Sequence, residues 1–226
     1  MTLSPDRQVL CFDGVIAKKL DVSRAKDLKE DGLFVVRSSG GYSDSSIELS
    51  DLIRDRHATV VVYDYCFSAC ALFFLIASYQ TYVLEGALVA WHYPRSTAEY
   101  PLCTSLTAPH DGRPKKLQRG PCRDATFGDQ AAYRLTWPAF FKDRTVERSF
   151  EAPPDSLYVR RMVRNLYEET GVFHDVMWTL HPRYYPKMFK TKIFYEAYPK
   201  SQTEVDEMLG RTGANLGLHM RVIYDP

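Results

Sequence analysis

The sequence predicts an α/β layer fold, and three observations carry that prediction. Short apolar runs alternate with helical periodicities from residue 8 to residue 92. The runs are rich in β-branched residues, as Thr59-Val60-Val61-Val62-Tyr63 shows. Three successive runs lead to a glycine pair, a serine and a histidine rather than continuing into a longer helix.

Gln8 to Ala17 reads as a strand closed by Asp13-Gly14, a hairpin turn. Val22 to Lys29 reads as a short helix with Ser23 as its cap, and Leu33 to Arg37 as a buried strand. Ser45 to Asp55 is expected to be a helix, because Leu49, Leu52 and Ile53 share one face. Thr59 to Tyr63 is hydrophobic throughout, the pattern of a strand covered on both faces. Ala69 to Ser78 reads as a buried helix, and Tyr82 to Trp91 as a hairpin or paired strands turning at Glu85-Gly86. A long irregular insertion follows, centred on residues 95–127. Residues 128–226 read as a mainly helical part: Asp129 to Arg144, Ser156 to Thr170 with Gly171 as C-cap, and Gln202 to Leu209 capped by Ser201 or Thr203. The whole is read as a single domain, 1–226, whose α/β core over 8–94 carries the site.

At 226 residues, 45% hydrophobic and 25% charged, the chain is long enough to bury a core of its own. A net charge of +1 gives no electrostatic bias toward nucleic acid or an anionic membrane. The most apolar run, Ala69 to Ala77, falls far short of the ~20 residues a spanning helix needs. Met1 to Leu10 lacks the basic start and apolar centre of a secretory signal. Cys103 and Cys122 bracket a polar segment rich in Pro, Gly, Lys and Arg, and a bridge between them would be worth roughly 3 kcal/mol. Such a bridge points to an oxidising compartment. Cys66 and Cys70 read first as small buried thiols and second as a local disulfide; their spacing is not that of a zinc site. His174 and His181 have no third ligand near them in sequence, so neither metal nor cofactor is expected.

The chemistry concentrates on three strand ends. Ser68 follows an apolar strand and opens an apolar helix, Gly40-Gly41 close the preceding strand, and His92 ends the following one. A serine hydroxyl becomes a nucleophile when an imidazole takes its proton, and the resulting oxyanion needs backbone N–H donors. Gly41 can offer one because a residue without a side chain lets a substrate come close, and Ala69 can offer another from the helix start.

The runs FVVRSSGG (34–41), IELSDLIRDR (47–56), TVVVYDY (59–65), CFSACALFFLIAS (66–78) and GALVAWHYP (86–94) resemble the proteolytic subunit of Clp protease, and more closely the periplasmic, Clp-protease-like branch of that superfamily. The resemblance implies a crotonase-like spiral of β-β-α units. It also implies Ser68 as nucleophile, His92 as general base, and the N–H groups of Gly41 and Ala69 as the oxyanion hole. Clp-type proteases add an aspartate that orients the histidine. Thr170-Gly171 marks the helix before it, Tyr184 stands at the expected offset, and Asp175 and Asp143 are the nearby carboxylates, so the third member is unassigned. Ser38-Ser39 stands where those proteases usually have Ser-Pro.

The resulting expectation is a serine hydrolase, a peptidase acting on peptide or protein substrates in the periplasm or outside the cell, with homo-oligomerisation implied by the resemblance alone. Two rivals remain: a non-catalytic binding or assembly module on the same fold, and a crotonase-type enzyme acting on a coenzyme A thioester.

Overall fold

A computed structural model of the protein describes residues 1–92, 103–107, 116–120, 139–146, 175–214 and 220–226, together with positions 161, 162, 165, 166, 168 and 169. Its strands are β1 (Thr2–Leu3), β2 (Val9–Asp13), β3 (Leu33–Ser38), β4 (Thr59–Phe67), β5 (Gln80–Val83), β6 (Leu88–His92), β7 (Cys103–Thr107), β8 (Lys116–Gly120), β9 (Asp175–Trp178), β10 (Lys192–Tyr195) and β11 (Met220–Ile223). Its main helices are α1 (Ser23–Lys26), α2 (Ser43–Asp55), the π-helical turn α3 (Cys70–Phe74) and α4 (Gln202–Thr212). The chain divides into two compact units: Met1–Tyr93 with Pro138–Pro226, and Pro94–Trp137. The second unit contains β7 and β8, an antiparallel pair in which Cys103 faces Gly120.

The first unit is built on one mixed sheet in the order β1-β2-β3-β4-β6-β9-β11, with β5 and β10 branching from β4. Strands β2, β3 and β4 run parallel. β4 then forks: its first half pairs with β5 (Val60 with Thr81) and its last residues pair with β6 (Phe67 with Ala90), both parallel. Tyr82 to Trp91 is therefore not a hairpin, because both of its strands are spent on β4. Asp13-Gly14 is not a hairpin turn either, since β2 lies parallel to β3 and the chain runs on to Ile16, which bridges Gly41.

One face of the sheet carries the core. Leu10, Phe12, Phe34, Val36, Val60 and Val62 are buried there, with the Phe12 and Phe34 rings edge-on to Phe74 of α3; Phe73 of α3 and Leu49 and Ile53 of α2 are buried as well. Burial of such side chains contributes about 1.5–3 kcal/mol each. Ser46 and Ser50 are fully buried on α2, and the Ser50 hydroxyl donates to the Phe73 carbonyl. On the other face Leu33, Tyr63 and Phe194 are 39%, 38% and 46% exposed, so the Thr59–Tyr63 part of β4 is fully covered on one side only, contrary to its uniform hydrophobicity.

The expected helix from Ala69 to Ser78 is shorter and more tightly defined. It winds as a π-turn, with the Leu75 N–H donating to the Cys70 carbonyl five residues back. α4 begins as read, with the Ser201 hydroxyl accepting from the Glu204 N–H, and ends at Gly213, whose φ is +61°. α1 has no side-chain cap; Asp21, not Ser23, accepts the local N–H. The described positions at 139–142 and 161–169 are helical. The first of these helices stops at Lys142, short of the expected Arg144, while its start and both ends of the second, including the Gly171 cap, lie outside the described residues. The C-terminal part also contributes β9, β10 and β11 to the sheet, strands that the mainly helical reading did not contain. Among the described residues no helix is long and apolar enough to cross a membrane.

Candidate active site

β4 delivers Ser68 by a sequence of local devices. Its register against β3 slips between Val36 and Ser38, so that Ser38 faces Cys66. A slip of this kind bends a strand and re-aims its end. The strand stops at Phe67, and Ser68 takes φ +56°, a left-handed conformation rare for a residue with a Cβ. Holding a non-glycine residue there costs about 1–3 kcal/mol. The turn is fixed on both sides. The Ser68 N–H donates to the Ala90 carbonyl of β6, and the Ser68 carbonyl accepts from the Leu72 N–H as the helix begins.

The Gly40-Gly41 pair closes on this turn. Gly40 has φ +93°, and a Cβ there would lie 2.7 Å from the Phe67 carbonyl oxygen and from Ser68 Cβ, and 2.9 Å from the Ala69 nitrogen. Only glycine lets the end of β3 come this close to the serine. The Gly40 N–H is taken by the buried Ser38 hydroxyl, and its carbonyl by the Ile16 N–H. A trans peptide points its N–H opposite to its C=O. With the Gly40 carbonyl held toward Ile16, the Gly41 N–H is therefore directed to the other side of β3, the side of β4 and Ser68. Ala69 opens the helix, so its N–H has no carbonyl a turn behind it.

His92 ends β6 and is exposed. Because Phe67 pairs with Ala90, the same register carried one step on brings Ser68 level with Trp91, with His92 one residue further. Ser68, Gly41 and His92 thus stand at the C-terminal ends of three neighbouring parallel strands, where ligands of open parallel sheets bind. The strands are held from behind by a core of Phe67, Leu88, Ala90, Met177, Val205, Met208 and Val222, which ties β4, β6, β9 and β11 to α4.

The carboxylates considered at sequence level fall in different places. Asp143 is exposed on a turn. β9 runs antiparallel to β6 with Met177 opposite His92, so the Asp175 backbone lies at the His92 end of the pair. Tyr184 comes after Trp178, which pairs with Trp91, and the chain there runs away from that end; its hydroxyl accepts from Arg183. His174 lies outside the described residues, and no metal-binding group of side chains occurs among those described.

Cys66 and Cys70 are joined in a disulfide, not present as thiols, and the bridge spans the serine. The second reading of that pair replaces the first. For a loop this short the chain-entropy model gives roughly 2 kcal/mol of stabilisation. Cys11 is free and exposed. The expected Cys103–Cys122 bridge involves Cys122, which lies outside the described residues. Sequence reasoning missed Ile16, Ser38 and Ala90 as supports of the site. Their signals are backbone hydrogen bonds and a hydroxyl that no spacing rule marks.

No family model and no curated protein sequence matches this chain. Among solved structures it is similar to a ClpP1 mutant from Listeria monocytogenes, with 20% identity over 42% of this chain and a TM-score of 0.30. That match spans 61% of the Listeria chain. It is also similar to a mutant membrane-bound stomatin-specific protease in complex with a substrate peptide, with 11% identity over 96% of this chain and 90% of the other, and a TM-score of 0.39. At these scores the likeness carries no weight of its own, and the site is read from the chain's own residues.

Proposed function

We propose that this protein is a serine hydrolase of the Clp-protease-like class that cleaves peptide bonds. The observation that carries the reading is Ser68 held at φ +56° between a parallel strand and a helix, with Gly40 pressed against it. A left-handed serine on a strand-to-helix turn lifts its hydroxyl clear of the sheet, which a packing serine has no need to do. In this reading Ser68 Oγ attacks the scissile carbonyl and His92 takes its proton. The N–H groups of Gly41 and Ala69 receive the oxyanion, and His92 returns the proton to the leaving amine. The chemistry needs neither metal nor cofactor. The crotonase-like spiral, a periplasmic or secreted location and assembly into a homo-oligomer are parts of the same proposal.

The test is intact-protein mass spectrometry after treatment with a fluorophosphonate, on the wild type, Ser68→Ala and His92→Ala. The expected result is one adduct, mapped to Ser68 and lost in both variants. A folded wild type that takes no adduct would overturn the reading in favour of a binding module without catalysis.

A further inference from the structure

We propose that the Cys66–Cys70 disulfide is the clamp that holds Ser68 in its left-handed turn, so that the reactivity of Ser68 is set by thiol–disulfide chemistry. The inference rests on the reading of Ser68 as nucleophile. Cys66 is the last residue but one of β4, Cys70 is the first residue of α3, and Ser68 lies midway between them. The bridge therefore fixes the two anchors of a turn that contains one strained residue. That residue is also restrained by two backbone hydrogen bonds, from Ser68 N–H to Ala90 and from Leu72 N–H to Ser68, and by the close approach of Gly40. A glycine at position 68 would adopt this conformation unaided, but a glycine has no hydroxyl. A cross-link across the turn lets a serine take its place.

Reduction undoes the clamp in a balanced step. Two thiols of a dithiol reductant supply two electrons and two protons. The Cys66–Cys70 bond breaks, two S–H groups form, and the reductant leaves as its own disulfide. Non-bonded sulfurs cannot remain at bonding distance, so Cys66 and Cys70 separate and the turn between them relaxes toward ordinary φ. Both cysteines are fully buried, at 0% exposure, so a reductant reaches the bridge only when the segment opens. The state is accordingly set where the chain folds: oxidised and reactive in an oxidising compartment, reduced and unreactive in a reducing one.

The experiment compares three forms: oxidised wild type, wild type refolded in dithiothreitol with the reductant kept present, and the double variant Cys66→Ala/Cys70→Ala. Each is checked for folding by circular dichroism. Two quantities are then read, the rate of fluorophosphonate labelling and the amide hydrogen exchange of residues 66–72. Displacement of a reacting group by about 1 Å costs on the order of 10²-fold, and a fall of that size is expected in the reduced form and the double variant, with faster exchange in the segment. Removing dithiothreitol and reoxidising should restore labelling in the wild type but not in the double variant. If the oxidised form labels and the other two label within about twofold of it, the clamp is overturned and the serine reading stands. If no form labels, the serine reading fails. Exchange then decides the clamp alone: faster on reduction supports it, and unchanged exchange overturns it.

Discussion

At the end of β4 the chain holds a serine in a left-handed turn and presses a glycine against it, whereas at the C-terminus a set of polar groups saturates one another. Tyr198 donates its hydroxyl proton to the Asp225 carbonyl at 2.8 Å, so it must accept from the Thr179 hydroxyl at 2.6 Å. The Asp225 N–H donates to Thr179 Oγ1, and the buried Asp225 carboxylate accepts from the His181 N–H at 2.8 Å. Gln202 accepts from the Tyr224 N–H and donates to the Val222 carbonyl, which ties α4 to the last strand. Judged by perturbed acidity, the second cluster would look like the active site: burial pushes Tyr198 well above the usual tyrosine range and pulls His181 down. Its hydrogen bonds show that it is a lock. Burial shifts acidity in locks and sites alike, and what separates the two is backbone strain beside a donor left for a ligand.

The widest separation between the two regions should come from Ser68→Ala set beside Tyr198→Phe. Ser68→Ala is expected to remove hydrolysis by about 10⁴-fold or more with little change in melting temperature. Ser68→Gly should lose activity equally while gaining roughly 1 kcal/mol of stability, because glycine carries no left-handed penalty. Tyr198→Phe should do the reverse. It leaves the Asp225 carbonyl and the Thr179 hydroxyl short of a partner, for about 1–3 kcal/mol in urea unfolding, with labelling of Ser68 unchanged. A Tyr198→Phe variant that kept its stability and lost labelling would erase the distinction.

Glycines give a smaller contrast of the same kind. Gly40 and Gly213 both have positive φ, but a Cβ on Gly213 would meet nothing within 4 Å, while one on Gly40 would strike the serine turn. Gly213→Ala is expected to cost about 1 kcal/mol and to spare labelling. Gly40→Ala adds overpacking to the same backbone penalty, for roughly 2–5 kcal/mol, and should lower labelling even where the protein stays folded. Equal losses in the two variants, read by denaturant midpoints, would mean that the close approach at Gly40 has no consequence for the site.

Composition and periodicity carry the strands between residues 8 and 92 well because burial imposes them locally: Phe34, Val36, Val60 and Val62 are apolar since they face the core. They carry pairing poorly. Nothing in Tyr82 to Trp91 records that β5 and β6 both lie along β4, since a partner more than twenty residues away leaves no local mark. The site divides in the same way. Gly40-Gly41, Ser68 and His92 are conspicuous as residues at strand ends. The φ of Ser68, the peptide orientation that turns the Gly41 N–H from Ile16, and the bridge across the serine are properties of the folded backbone. Residue types at fixed spacing announce a chemistry; the conformation that would perform it is supplied by contacts from elsewhere in the chain.

The smallest expected effect tests the lock by pH. His181 Nδ1 accepts from the Arg183 N–H at 3.1 Å, a bond that needs an unprotonated nitrogen. Burial first, and the Arg183 charge second, hold its pKa below the ordinary 6.5, against an opposing pull from Asp225. The unfolded chain therefore binds this proton at higher pH than the folded one does, and stability rises with pH across the interval between the two values. The contribution is present above about pH 6.5 and is lost as the pH falls from there through the lower folded value. His181→Asn keeps an acceptor near the Nδ1 position but does not titrate, so it should flatten that part of the melting profile while matching the wild type near neutrality. Fluorophosphonate labelling of Ser68 should show no difference between His181→Asn and wild type at any pH in this window. A difference there would place His181 in the site rather than in the lock, and with it the third partner that the sequence left unassigned.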